Sequence, residues 1–240
     1  MKRKVLLFVI TVVLACVPLA YAQSGDLGAS CPKWGWHEKH TNCIGCHGDK
    51  PQRFYKTDID LDFCWIKNNE VYFNFVSDIS HGLYMKFKEH LFLFDTKILK
   101  KVIISLKSYG GGYFDSLAII SLIEELQAKG VVVEIRVYGN AASGAFLILL
   151  AGTKGNRLAS PTTMVMWHEI ISGKFFAIET TSSKETEAEM YRYLQNNVNE
   201  YIAKHSNITK EELDRKIRFK ELWVNGVEAL KYGFIDGYLK

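Results

Sequence analysis

The sequence predicts an α/β protein built around a mostly parallel β-sheet. Residues 102–106 and 131–138 are rich in β-branched side chains, a composition typical of buried strands. Glycines and other small residues follow each run, at residues 108–112 and 139–145, and they allow the chain to turn tightly. Apolar residues between the two runs recur at helical spacing and stop at Gly130. Because strands alternate with helices, we expect a layered fold with parallel strands.

The elements around these two strands are predicted in the same way. Asp115 is placed to cap the helix that ends at Gly130. Ser143 lies where a strand gives way to a helix, so free backbone N–H groups surround it. A serine nucleophile needs this position, since its oxyanion must be met by preorganised donors. The other predicted elements are strands at residues 71–75 and 163–167, and helices at 146–150, at 185–204, from 209–212 onward and at 225–231.

The first 22 residues predict an export signal. A basic start, an apolar segment over residues 5–15 and an Ala-Tyr-Ala cleavage site before Gln23 are its three parts. Residues 13–16 also fit a lipoprotein cleavage box, which would anchor the protein through Cys16. Both interpretations predict an exported protein, periplasmic or secreted. Without residues 1–22 the chain carries 27 basic and 26 acidic residues, so its charge gives no basis for nucleic-acid binding.

A cysteine-rich module is predicted over residues 23–65, ahead of a core domain at 66–240. Its four cysteines are Cys31, Cys43, Cys46 and Cys64. Cys43, Cys46 and His47 form the Cys-x-x-Cys-His pattern that attaches a c-type haem, with the histidine as an iron ligand. Two disulfides stapling a module too small for its own core explain the same residues, as does a zinc site. The sequence leaves these three interpretations open.

Five ordered blocks within residues 70–240 resemble the proteolytic subunit of the Clp protease and its relatives in the ClpP/crotonase superfamily. The blocks are Ser-Tyr-Gly-Gly at 108–111, where that family usually has Ser-Pro-Gly-Gly, and residues 139–147, 151–155, 166–168 and 228–236. The resemblance implies a ClpP/crotonase-like layered βα superhelix. It also implies a homo-oligomer, because the family forms rings through the helix that corresponds to residues 185–204.

The same resemblance implies a serine peptidase site. Ser143 falls on the family's nucleophile and His168 on its general base. The backbone N–H groups of Gly111 and Gly144 fall on the oxyanion hole. Peptides or proteins are then the substrates, and catalysis requires neither a cofactor nor a metal.

The third member of the predicted triad is less closely defined. Glu221 lies seven residues before a Glu-Ala pair, where the family has an aspartate, and a glutamate keeps the charge that orients the histidine. Asp214 is the alternative acid. The Ser143–Gly144 junction lacks one residue of the Clp subunit and resembles the signal peptide peptidase branch, whose base is a lysine. A dyad of Ser143 with Lys174 is therefore an alternative mechanism.

These inferences predict an exported serine endopeptidase that works without ATP, because no cytoplasmic ATP-driven unfoldase is present outside the cell membrane. Peptides or membrane-protein fragments are the expected substrates, and membrane association is a separate expectation. One alternative is a non-catalytic or redox binding protein whose haem or metal sits on residues 43–47. Crotonase-type acyl-CoA chemistry is a weaker alternative, since export separates the protein from CoA. Each site residue also has a purely structural explanation, such as a helix cap for Ser143.

Overall fold

The computed structural model describes residues 62–68, 70–94, 99–171 and 181–240, with the backbone alone at 30–31, 35–36 and 181–183. The chain divides into two compact units, Met1–Tyr55 and Lys56–Lys240. In the first unit, β1 (Ser30–Cys31) and β2 (Gly35–Trp36) pair in antiparallel fashion. The second unit contains the predicted peptidase segment.

The second unit alternates strands and helices. Its strands are β3 (Cys64–Lys67), β4 (Glu70–Phe75), β5 (Lys101–Ser108), β6 (Val132–Ala142), β7 (Arg157–Ala159), β8 (Met164–Trp167), β9 (Leu222–Asn225) and β10 (Gly237–Tyr238). Its helices are α1 (His81–Phe92), α2 (Tyr113–Ala128), α3 (Gly144–Ala151), α4 (Thr181–Lys204), α5 (Lys210–Ile217) and α6 (Gly226–Lys231).

These strands form one mixed sheet in the order β10-β7-β6-β5-β4-β3. Neighbours from β4 to β10 along this order are parallel, and β3 pairs antiparallel with β4. The predicted α/β class with a mostly parallel sheet is therefore confirmed. Strand β6 is long enough to pair with β7 along its middle and with β8 at its end, over residues 140–142. Strand β8 in turn pairs antiparallel with β9.

Helix α3 lies in the centre of the core. All eight of its residues are buried, and Phe146 is completely inaccessible to solvent. Burying an aliphatic or aromatic side chain of this size contributes roughly 1.5–3 kcal/mol. Because residues on every side of the helix are buried, packing holds its position from all directions. Its first turn, and Ser143 just before it, are fixed with it.

Local signals placed most helix ends correctly. Gly130 has a φ of 81° directly after α2, as expected for a glycine that ends a helix. Thr209 caps α5 by accepting the N–H of Glu212 at 3.1 Å. The predicted cap at Asp115 is wrong, because α2 begins earlier and Gly112 occupies the cap position without a side-chain hydrogen bond. Asp115 instead lies in the first helical turn, where a carboxylate is favoured by the helix dipole.

Several predictions concern residues outside those that the structure describes. They are the export signal at 1–22, the haem or metal residues Cys43, Cys46 and His47, and Lys174. Cys64 is described, and it lies buried in β3 within the second unit. The division at 22 and 65 stays a prediction. Of the helices in the described part of the chain, none is both long and apolar enough to cross a membrane.

Candidate active site

Ser143 sits on a strained turn between β6 and α3. Its φ is 53° and its ψ is −123°, a conformation that costs a non-glycine residue about 1–3 kcal/mol. The turn is held by a hydrogen bond from its N–H to the carbonyl of Met166, at 2.9 Å. The Ser143 hydroxyl makes no capping hydrogen bond to α3. The helix-cap explanation for this serine is therefore excluded, and the side chain is available for chemistry.

A glycine loop packs directly against this turn. Gly110 and Gly111 have φ values of 101° and 148°, which other residues rarely adopt. Ile79 clamps the loop by donating to the Gly110 carbonyl and accepting from Gly112, both at 2.8 Å. A Cβ added to Gly110 would lie 2.7 Å from the Ser143 Cβ. The loop therefore approaches the serine so closely that it leaves no space for a side chain.

Two backbone N–H groups lie beside Ser143. Among the hydrogen bonds of the described residues, none has the N–H of Gly111 or of Gly144 as its donor. Gly144 is the first residue of α3, where the helix leaves its amides unpaired and carries partial positive charge. The nitrogen of Gly111 would lie 3.6 Å from a Cβ on Gly144, so the two amides are neighbours. Together they can donate to one anionic oxygen.

One cavity of about 360 Å³ brings the predicted residues together. Ser143, His168, Gly111 and Gly144 all line it. Its other lining residues are largely apolar or aromatic: Tyr109, Gly112, Tyr113, Leu147, Trp167, Ile170 and Ile171. Four of the five predicted catalytic and oxyanion-hole residues thus share a single pocket.

His168 follows β8 and has a defined tautomer. Its Nδ1 is hydrogen-bonded to the backbone carbonyl of Glu169. A carbonyl oxygen can only accept, so Nδ1 carries the proton and Nε2 keeps its lone pair in the neutral ring. The imidazole also stacks on Trp167, with ring centroids 5.9 Å apart. This is the tautomer that a general base requires.

The two candidate acids have different surroundings. The antiparallel β8–β9 ladder ends at the pair Trp167–Leu222, and His168 and Glu221 are the next residues beyond that pair. Glu221 is exposed, and its carboxylate accepts the indole N–H of Trp223 at 2.6 Å. Asp214 accepts from Asn199 and Lys210 instead. In the described residues, neither carboxylate is hydrogen-bonded to His168.

Sequence reasoning missed a set of polar side chains behind His168. Gln195 and Asn199 on α4 connect to Trp167 and to the backbone of Ile170. Nothing in the sequence distinguishes these two residues from the other polar residues of an amphipathic helix. Only the burial of Asn199, which is 1% exposed, marks it out.

The site has a serine on a strained strand-to-helix turn, in one cavity with a histidine and with two amides that donate no hydrogen bond among the described residues. These features define a nucleophile-elbow type of site on an α/β scaffold. The sequence model of the Clp protease family matches residues 68–240, and the chain belongs to this family. The resemblance predicted for residues 70–240 is thereby confirmed at the level of the family.

Three relatives illustrate the similarity. The chain is 33% identical over 150 residues to the chloroplastic ATP-dependent Clp protease proteolytic subunit 4 of Arabidopsis thaliana, covering 62% of this chain and 49% of the relative. It is 30% identical over 143 residues to proteolytic subunit 1 of Rhodopirellula baltica, covering 58% of this chain and 59% of the relative. Proteolytic subunit 3 of a Synechococcus species is 30% identical over 161 residues, which is 67% of this chain and 78% of the relative. The match thus spans about half to three fifths of the first two relatives.

Proposed function

We propose that the protein is a serine endopeptidase that hydrolyses peptide bonds without ATP. The observation that supports this most strongly is the cavity that Ser143 and His168 share with Gly111 and Gly144, whose N–H groups donate no hydrogen bond within the described part of the chain. Family membership gives independent support, because the relatives named above are proteolytic subunits.

In the proposed reaction, the Ser143 hydroxyl attacks the carbonyl carbon of the scissile bond while Nε2 of His168 takes its proton. The carbonyl oxygen becomes an oxyanion and accepts hydrogen bonds from the N–H groups of Gly111 and Gly144. Loss of one such donor typically costs about 10²–10³-fold in rate. The imidazolium then gives its proton to the leaving amine. Water hydrolyses the resulting acyl-enzyme by the same steps in reverse.

Glu221 is the proposed acid of the triad. The β8–β9 register favours it over Asp214, because residues 168 and 221 directly follow and precede the last pair of that ladder. Its charge would stabilise the imidazolium formed during the reaction. Asp214 already accepts two hydrogen bonds from other side chains. A Ser143–Lys174 dyad is the alternative mechanism. Substitution of His168 and of Lys174 distinguishes the triad from the dyad.

The setting of the enzyme is proposed from the sequence and the family. Residues 1–22 suggest export, with peptides or membrane-protein fragments as substrates and association with the membrane as a separate expectation. Homo-oligomerisation is proposed from the family. A c-type haem or metal on Cys43, Cys46 and His47 stays a separate prediction. Intact-mass spectrometry of the exported protein would report signal cleavage, lipid, haem and thiol state together.

Covalent labelling tests the proposed function. We expect a fluorophosphonate to label the folded protein on Ser143, and S143A to lose the label completely. Ser121, an exposed serine on α2, supplies the matched control, and S121A should label like the wild type. Loss of labelling in H168A but not in K174A would support the triad over the dyad. A folded wild-type protein that takes no label at any pH, with or without detergent, would overturn the proposal.

A further inference from the structure

A chain of side-chain hydrogen bonds, centred on the buried Asn199, reaches both sides of His168. Asn199 accepts the indole N–H of Trp167 at 3.0 Å, directly before the histidine. The Asn199 oxygen also accepts from the amide of Gln195 at 2.9 Å. Gln195 in turn accepts the backbone N–H of Ile170 at 2.6 Å, two residues after the histidine. Helix α4 therefore holds the segment 167–170 at two points, one before and one after His168.

The other end of the chain is anchored by charge. The Asn199 amide donates to Asp214 at 2.6 Å, and Lys210 donates to the second oxygen of the same carboxylate at 2.8 Å. An indole N–H can only donate and a carboxylate can only accept, so Asn199 has one allowed orientation. Its side-chain oxygen accepts two hydrogen bonds and its amide nitrogen donates one. An asparagine satisfied in this way and 1% exposed is rigidly held.

We infer that Asn199 is a positioning residue for His168, an inference that rests on the proposed peptidase function. It contacts neither Ser143 nor the oxyanion donors in the cavity, and it acts through Trp167, on which the imidazole stacks. A displacement of about 1 Å at a catalytic group can cost 10²-fold in rate. Asp214 thereby gains a role distinct from that of the triad acid, because it fixes Asn199 rather than the histidine.

An exchange of two groups tests this inference. In N199D, the new carboxylate still accepts from Trp167 and Gln195, but it faces the carboxylate of Asp214, so a buried charge at position 199 meets a like charge. In the double variant N199D/D214N the two groups are interchanged. The amide at position 214 can donate to the carboxylate at 199 and accept from Lys210. The geometry behind His168 should then be restored.

The measurement is saturation kinetics of fluorophosphonate labelling, which separates the maximal rate, kinact, from the binding constant, KI. For folded N199D we expect kinact to fall about 10²-fold with KI unchanged, and for the double variant we expect recovery to within a few-fold of the wild type. I202V removes one methylene from the same buried helix face and should leave kinact unchanged. A merely structural role would lower thermal stability without this selective loss and rescue.

A second variant covers the case in which N199D does not fold. Q195L removes the tether to Ile170 at a half-buried position, and kinact should fall about tenfold, the equivalent of one hydrogen bond. Wild-type kinact in a folded N199D, or in Q195L where N199D is unfolded, would overturn the inference while leaving the peptidase proposal intact. Failure of the wild type itself to label would instead remove the peptidase proposal on which the inference rests.

Discussion

The two sides of the candidate site are held by different means. On the serine side, backbone fixes the geometry: the loop at 110–112 is clamped by Ile79, and the Ser143 turn is tied to Met166. On the histidine side, the chain after β8 is held mainly by side chains of α4 and α5. The serine side therefore depends on local residue types, and the histidine side depends on contacts between distant parts of the chain.

This difference predicts two kinds of response to substitution. On the serine side, glycines with positive φ values leave no space for a Cβ atom. A substitution there should therefore displace the backbone and have a large effect rather than a graded one. Each hydrogen bond on the histidine side contributes a part of the positioning, so its loss should produce a graded effect. Comparing variants from the two sides, in one labelling assay, tests this contrast.

The largest effect is expected for G110A. A Cβ at this position would lie 2.6 Å from the carbonyl oxygen of Ala142 and 2.7 Å from the Ser143 Cβ, while the backbone φ is 101°. The loop must move away from the serine, so we expect fluorophosphonate labelling to be abolished. Circular dichroism of the purified variant shows whether the fold is retained while labelling is lost.

Gly130 provides the matched control for this substitution. It also has a positive φ, 81°, but a Cβ there would meet no atom within 4 Å. G130A should therefore incur only the backbone strain, about 1 kcal/mol in unfolding free energy, and keep its labelling rate. Equal labelling of G110A and G130A would show that close packing of the loop is not what fixes the serine side.

The same contrast explains how much could be predicted from the sequence. The four predicted strands, the turn at Ser143 and the glycine loop follow from local composition, and the structure has all of them, whereas β3, β7, β9 and β10 were not predicted. Burial of Asn199 could not be predicted, because it depends on where α4 packs against β8. The prediction of a helix cap at Asp115 was wrong for a local reason. The helix begins directly after the glycine loop, with Gly112 at the cap position, so it starts before the residue whose side chain suggested a cap.

The second effect in size is expected for E221Q. Removing the charge of the proposed triad acid should destabilise the imidazolium, and we expect labelling to slow by about 10²-fold. This is less than the 10⁴-fold loss seen when an acid also controls the tautomer, since the Glu169 carbonyl already holds Nδ1–H here. The measurement is the second-order labelling rate of E221Q beside that of D214N. Labelling of E221Q at the wild-type rate would show that Glu221 is not the triad acid.

The smallest effect on labelling is expected at a buried ion pair remote from the cavity. Asp236, just before β10, accepts two hydrogen bonds from the Arg157 guanidinium, at 2.8 and 2.5 Å, and one from the N–H of Gly155. Burial raises the pKa of Asp236, but the hydrogen bonds and charge of Arg157 outweigh it and lower the pKa to about 2. This pair joins β7 to the C-terminal strand, so it stabilises the fold without touching either side of the site.

D236N should therefore separate stability from reactivity. It leaves the Arg157 guanidinium, 1% exposed, without its counter-charge, which typically costs about 3–5 kcal/mol. Because the folded pKa lies below the unfolded value of 3.8, the wild type gains stability from Asp236 above pH 4 and loses about 2 kcal/mol as the pH falls towards 2. Urea unfolding of both proteins between pH 3 and 7 should show that the difference between their unfolding free energies shrinks as the pH falls.

Under conditions in which D236N is folded, it should label at the wild-type rate. A slower rate would mean that the two sides of the site depend on the ion pair.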